Sequence, residues 1–198
     1  MRRPVQLVDG QTEQLVDAEL TRFQSPERLV DIEEAWERGR DWQLFKPSTN
    51  IDWSWINKRA SIVSGTGILC DVTCQNEPQG AIKLDASPRR SRLNANADVI
   101  YVEYLESAPW NVRNTELMIV PRFYGVGRLL IAEAIFVSRD AGFGGRISLH
   151  SLPNAEQFYC RSCQFTEVGP DPAENNLVYF ECTQPQAIAL LEKMGQEL

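Results

Sequence analysis

The sequence predicts a mixed α/β (α+β) single domain, and three observations carry that prediction. Residues 99–105 (VIYVEYL) are β-branched or aromatic almost throughout, which marks a central strand apolar on both faces. Residues 126–141 (VGRLLIAEAIFVSRDA) form a long helix that is apolar over more than half its circumference, as a helix lying on a sheet must be. The segment order is a strand, two helices, antiparallel-looking strands, then β-α-β-α-β-β-α, which is not a doubly wound parallel sheet. With 198 residues, 43% of them hydrophobic, the chain can bury one core, and a single domain over 1–198 is expected.

Residues 5–8 read as a first short strand. Ser25-Pro26-Glu27 opens a helix: Ser caps, Pro takes the first helical position, and the acid meets the positive end of the dipole. Leu29, Ile32 and Trp36 share one face of it. Asp52 caps a second, shorter helix holding Trp53, Trp55 and Ile56. Residues 67–73 and 80–84 are strands separated by a Gln75-Asn76-Glu77-Pro78 turn, and the polar stretch 87–96 reads as a loop.

After the central strand and long helix, Gly142-Phe143 is a Schellman-type stop. Residues 146–149 make a short strand, 153–163 a helix starting with Pro, and 165–168 and 177–182 two strands joined by Gly-Pro-Asp-Pro. Thr183 and Gln186 have the spacing of a capping box before a last helix.

Lys plus Arg number 20 against 27 Asp plus Glu, a net charge of −7, so neither a general nucleic-acid coat nor an anionic membrane surface is expected as a partner. No apolar run approaches the length of a membrane span, and Met1-Arg2-Arg3-Pro4 has no apolar region behind it. Five irregularly spaced cysteines fit a cytoplasmic protein without disulfides. Cys70, Cys74, Cys160 and Cys163 number enough for zinc, but one pair falls on a strand and the other inside a helix, so no metal is expected.

The most informative segment is Arg122-Phe123-Tyr124-Gly125-Val126-Gly127-Arg128. Two glycines two apart at a helix start let the backbone approach a ligand, and the first helical turn offers unpaired N–H groups and a positive dipole end. That is a phosphate cradle, although the spacing is neither that of a P-loop nor of a dinucleotide fingerprint. A tight helix start packed on the sheet is the plainer alternative.

This R-x-x-G-x-G segment before a long helix resembles the pyrophosphate motif of the GNAT superfamily, the acyl-CoA-dependent N-acyltransferases. Ala155-Glu156-Gln157-Phe158-Tyr159 with Cys163-Gln164-Phe165 resembles that family's A-x-x-[FL]-Y…G-F motif. Residues 101–105 with Ala108-Pro109-Trp110-Asn111 resemble the fourth strand of a bacterial GNAT subgroup, as do residues 149–153 with 169–172. The resemblance covers residues 97–183. It leaves 1–96 as the acceptor side and 184–198 as a C-terminal helix. Leu152 stands where the family has Asn, with Asn154 nearby, and Gln164 stands where it has Gly. The stretch from Tyr159 to Phe165 is one residue longer than the family's.

The resemblance implies a mostly antiparallel sheet splayed between its fourth and fifth strands. Acetyl-CoA would bind as co-substrate, and an acetyl group would move to an amine on a small molecule or peptide by direct attack. The alternative is a GNAT-fold module that binds CoA or a protein without turnover. The cofactor-binding residues it implies are Leu105, Arg122, Tyr124, Gly125, Val126, Gly127, Arg128, Leu129, Asn154 and Tyr159. Tyr159 matches the tyrosine that protonates the leaving thiolate; a core tyrosine is the alternative.

Glu103, a carboxylate in the apolar central strand, is a candidate base or one half of an ion pair. Glu106 has the opposite parity. His150, the only histidine, is a second candidate base or a packed strand-end residue. The dense Trp42, Trp53 and Trp55 are core-edge packing or an acceptor wall. A monomer or homodimer is expected.

Overall fold

The chain opens with a hairpin in which β1 (Arg2–Asp9) pairs antiparallel with β2 (Leu15–Phe23). The Asp9 carboxylate closes the turn by accepting the N–H groups of Gln11 (2.9 Å) and Thr12 (2.8 Å), bonds that hold its carboxyl below the ordinary range. The computed structural model describes residues 1–23, 25–39, 54–112 and 120–196.

β1 is longer than the sequence predicts, and β2 is not predicted at all. Asp17 and Glu19 break its apolar pattern, and only Leu20 and Thr21 in it are buried. It is a strand because both its edges are paired, Leu7↔Val16 with β1 and Leu20↔Val72 with β3 (Gly67–Cys74).

α1 (Glu27–Gly39) begins where Ser25-Pro26 predicts. Its Leu29, Ile32 and Trp36 pack with Trp55, Ile62, Leu69, Ala81 and Ala108. Past the tryptophan-rich segment, a single tight helical turn (Ile56–Lys58) runs into the five-residue α2 (Arg59–Val63). Trp42, Asp52 and Trp53 lie outside the described residues.

β3 turns into β4 (Glu77–Arg90) through Gln75 and Asn76, both at positive φ (53° and 62°), as a two-residue hairpin needs. β4 continues through residues 87–90, which the sequence predicts as loop. That end is exposed, so no apolar alternation announces it.

β5 (Asp98–Ser107) is the expected central strand. A tight turn (Pro109–Asn111) follows, and later β6 (Phe123–Tyr124) and α3 (Val126–Asp140). α3 ends as predicted: Gly142 sits at φ +83°, and the N–H groups of Gly142 and Phe143 reach the carbonyls of Arg139 (2.9 Å) and Ser138 (2.8 Å). β7 (Ile147–Ser151), β8 (Thr166–Asp171), β9 (Leu177–Cys182) and α4 (Gln184–Lys193) complete the chain. Thr183 and Gln186 form the predicted capping box.

The helix predicted over 153–163 is shorter and wider than expected. Turns at 153–155 lead through helical residues 156–157 into a wide π-type turn (Phe158–Ser162), closed by Cys163 N–H donating to the Phe158 carbonyl at 3.0 Å. A π-turn absorbs one residue more than an α-turn.

The strands form one open sheet in the order β6-β1-β2-β3-β4-β5-β7-β9-β8. The β5–β7 pairing is parallel; β1–β2, β1–β6, β2–β3, β7–β9 and β8–β9 are antiparallel. The chain divides into two compact units, residues 1–83 with 104–130 and residues 84–103 with 131–198. No helix among the described residues is long and apolar enough to cross a membrane.

Gln164 takes φ +57°, so a side chain sits at a backbone position that favours glycine. Its Oε1 accepts from Lys193 Nζ at the surface, a weak recompense. Gln164→Gly is expected to stabilise the fold by about 0.5–1 kcal/mol, since the left-handed strain outweighs the exposed hydrogen bond and glycine's added chain entropy. Urea unfolding checks this; a lowered midpoint would show that the Lys193 contact dominates.

Candidate functional site

In the first unit, β6 hydrogen-bonds along β1 (Val8↔Tyr124, Asp9↔Phe123) and delivers the chain to the start of α3. Gly125 sits at φ +93°, where a side chain would be strained, and its carbonyl accepts the Leu129 N–H at 3.0 Å, the first bond of the helix. The N–H groups of Val126, Gly127 and Arg128 therefore precede the i→i−4 ladder and point out of the helix start. The Arg128 Nε is buried with no hydrogen-bond partner among the described residues. Val126 and Leu129 turn their side chains into the core.

Arg122 is held by a different pair. Its guanidinium donates to Glu77 Oε2 (2.6 Å) and Gln75 Oε1 (2.5 Å) and lies over the Phe123 ring. Behind the loop, the fully buried Gln79 accepts from Trp110 Nε1 (2.7 Å) and Asn111 Nδ2 (3.0 Å), while Asn111 Oδ1 accepts from Phe123 N–H (2.9 Å). The Ala108-Pro109-Trp110-Asn111 segment is thus a bracket joining β4 to the loop.

Gly80 on β4 completes that packing. A Cβ there would lie 2.4 Å from Val126 Cγ1 and 3.2 Å from the Glu106 carbonyl. Gly80→Ala is expected to cost roughly 1–3 kcal/mol, the usual scale of overpacking, and to loosen the start of α3. Urea unfolding measures it; an unchanged midpoint would mean that α3 can shift freely.

The same unit holds two buried carboxylates around Trp55. Glu106 Oε2 accepts the indole N–H at 2.8 Å, and Glu33 Oε2 accepts the Trp55 backbone N–H at 2.5 Å. Trp55 is fully buried and meets Trp36 edge-on, so it is a core residue. The sequence signal for Glu106 was weak, because its parity on β5 set it opposite Glu103. Leu105 is half-buried on the same strand.

In the second unit, the β5–β7 ladder is three residues long, ending at Val102↔Leu149, although β5 runs on to Ser107. Glu103 is half-buried just past that end. Tyr159 stands in the π-turn, 6% exposed, its ring stacked on Phe165 and tilted against Phe180. Burial pushes its phenol well above the ordinary value, so it stays protonated at any working pH. Asn154 is exposed in the preceding turn.

His150 is not a simple strand-end residue. Its Nδ1 lies 2.7 Å from the Tyr101 hydroxyl and its Nε2 3.1 Å from Asp171 Oδ2, with 5% of its side chain exposed. Asp171 also accepts from Arg92 and from the Ala173 N–H. The Arg92 bond first, then those of Ala173 and His150, pull its carboxyl down to about 2. Tyr101, Asp171 and Arg92 are not legible as site residues in the sequence, because they come from separate segments.

No protein-family model matches the chain, and no curated protein matches it. Solved structures do. A GNAT-family protein from Desulfovibrio desulfuricans matches with a TM-score of 0.57 at 14% identity, over 84% of this chain and 99% of that one. The chain has the fold of the GNAT N-acyltransferases. A GNAT-family acetyltransferase from Staphylococcus aureus matches at 0.52 and 10% identity, covering 84% and 99% of the two chains. The PaiA N-acetyltransferase from Thermoplasma acidophilum, solved with coenzyme A, matches at 0.51 and 13%, covering 82% and 97%.

Within this GNAT fold, Cys70, Cys74, Cys163 and Cys182 are buried thiols and Cys160 is exposed. Among the described residues no group of three or more His, Cys, Asp and Glu is placed to hold a metal.

Proposed function

We propose that the chain is an acyl-CoA-dependent N-acetyltransferase of the cytoplasm, moving an acetyl group from acetyl-CoA to an amine by direct attack. One observation carries this beyond fold likeness, which alone does not assign function. The start of α3 combines a left-handed Gly125, unladdered amides at Val126, Gly127 and Arg128, and a buried Arg128 Nε without a hydrogen-bond partner among the described residues. Those features suit the pyrophosphate of CoA.

In this reading Gly125, Val126, Gly127, Arg128 and Leu129 cradle the pyrophosphate. Arg122 and Tyr124 shape the approach, and Leu105 offers main-chain groups to the pantetheine arm as an added strand would. The acceptor ammonium loses a proton, the amine attacks the thioester carbon, and the C–S bond breaks. Tyr159 gives its proton to the sulfur as that bond lengthens. Glu103, or His150 through a group hydrogen-bonded to it, takes the proton of the ammonium. The acidic balance of the chain favours a cationic acceptor, a small molecule or a peptide.

Calorimetry with acetyl-CoA and a thiol-release assay over small amines and lysine peptides test this. Binding with amine-dependent thiol release supports it. Binding without release over the panel favours the CoA-binding module instead, and no binding ends both readings.

A further inference from the structure

Tyr101, His150 and Asp171 come from β5, β7 and the end of β8, and they form one hydrogen-bonded chain. Asp171 is ionised, so it accepts, and the His150 Nε2 must carry the proton that it shares with the carboxylate. In the neutral imidazole Nδ1 is then the acceptor, and the Tyr101 hydroxyl donates to it. Both imidazole nitrogens are engaged and the ring is enclosed by Tyr101 and Tyr179, so His150 cannot itself touch an acceptor. Exposure rises along the chain from His150, with 5% of its side chain exposed, to Tyr101, which is half-buried.

The ends of the chain are also fixed. The Arg89 guanidinium lies 3.8 Å over the Tyr101 ring and is itself held by Asp85. Asp171 is pinned by Arg92 and the Ala173 N–H, and Arg92 in turn covers Tyr179 at 4.0 Å. Buried Glu181 accepts from Ser91 and from the Arg92 N–H (2.9 Å), fixing the segment that carries Arg92. A carboxylate that orients a buried imidazole toward a more exposed hydroxyl is the arrangement that moves protons in hydroxyl–imidazole–carboxylate triads. Tyr101 and His150 also flank the last rung of the β5–β7 ladder, Val102↔Leu149.

We propose that Tyr101, acting through His150 and Asp171, is the proton acceptor for the incoming ammonium. This rests on the acetyl-transfer reading above. The Tyr101 oxygen takes one proton from the ammonium while its own proton passes to His150 Nδ1, leaving an imidazolium against the Asp171 carboxylate. The amine then attacks. Its second proton balances the one taken up by the leaving thiolate, and the proton on His150 returns through Tyr101 to water. Each turnover therefore releases one proton. Tyr101 is the catalytic residue, and His150 and Asp171 are positioning residues.

The charged and titratable groups around the chain are Arg89, Glu103, Glu174, Tyr179, Glu181 and Arg92. Burial raises the Tyr101 phenol to about 12, so it gives up its proton only as it receives another.

The test is thiol release with acetyl-CoA over small amines and lysine peptides, for wild type, Tyr101→Phe and Asp171→Asn, from about pH 7 to about pH 10, where an alkylammonium begins to lose its own proton. Tyr101→Phe keeps the ring under Arg89. It should be slower at pH 7 by about 10²-fold, with acetyl-CoA affinity unchanged, and the deficit should shrink as pH rises and free amine appears. Asp171→Asn should be slow in the same pattern. It should also change the imidazole tautomer read by ¹⁵N NMR of this single histidine, away from the Nε2–H form expected in wild type. A deficit constant across pH, or no deficit, overturns the relay and leaves acetyl transfer standing; a loss confined to Glu103→Gln would move the base there. Wild-type protein that releases no thiol with any amine overturns both readings.

Discussion

Tyr159→Phe is expected to slow acetyl transfer by about 10²-fold, the usual scale for a positioned acid, while melting temperature and acetyl-CoA affinity stay near wild type. The substitution removes one oxygen from a ring whose contacts with Phe165, Phe158 and Phe180 are apolar. No protein group among the described residues is hydrogen-bonded to that hydroxyl, so its loss strands no buried partner. Burial keeps the phenol protonated and makes it a weak acid, so the proton moves only as the C–S bond breaks. The effect should therefore fall on the chemical step, read by single-turnover thiol release. A wild-type rate in the variant would make Tyr159 a packing residue and leave the thiolate to take its proton from water.

Gly127→Asp is expected to weaken acetyl-CoA binding at least about tenfold, or ~1.4 kcal/mol, with the fold intact. Gly127 lies in the first turn of α3, immediately after Gly125, which opens the helix at φ +93°, and Val126. An acid there complements the helix dipole, which protects folding, but it sets a like charge and added bulk against a pyrophosphate. Calorimetry with acetyl-CoA measures the change. Unchanged affinity would remove the start of α3 from the binding site, whatever the fate of Tyr159.

Features that a short run of residues imposes on itself were legible in the sequence. The β-branched central strand, the Gly142-Phe143 helix stop, the Thr183–Gln186 capping box and the left-handed Gly125 before α3 each depend on local sterics or on hydrogen bonds within a few residues. β2 and the outer end of β4 were not legible. Their residues are polar or exposed, and they are strands because neighbouring strands supply the hydrogen bonds. The same holds for the wide turn at Phe158–Ser162, where the sequence predicts an ordinary helix.

The candidate site divides in the same way. Arg122 through Leu129 could be read as a phosphate cradle because a glycine pair and a helix start are contiguous in the chain. His150 could be picked out only as a lone imidazole. Its partners Tyr101 and Asp171 lie 49 and 21 residues away and reach it only across paired strands. The sequence by itself determined most of the elements and the glycine-marked start of α3, since backbone conformation there is set by nearest neighbours. Tertiary structure decided which polar groups meet, because a hydrogen bond between distant segments depends on strand register, and register is a property of the folded sheet.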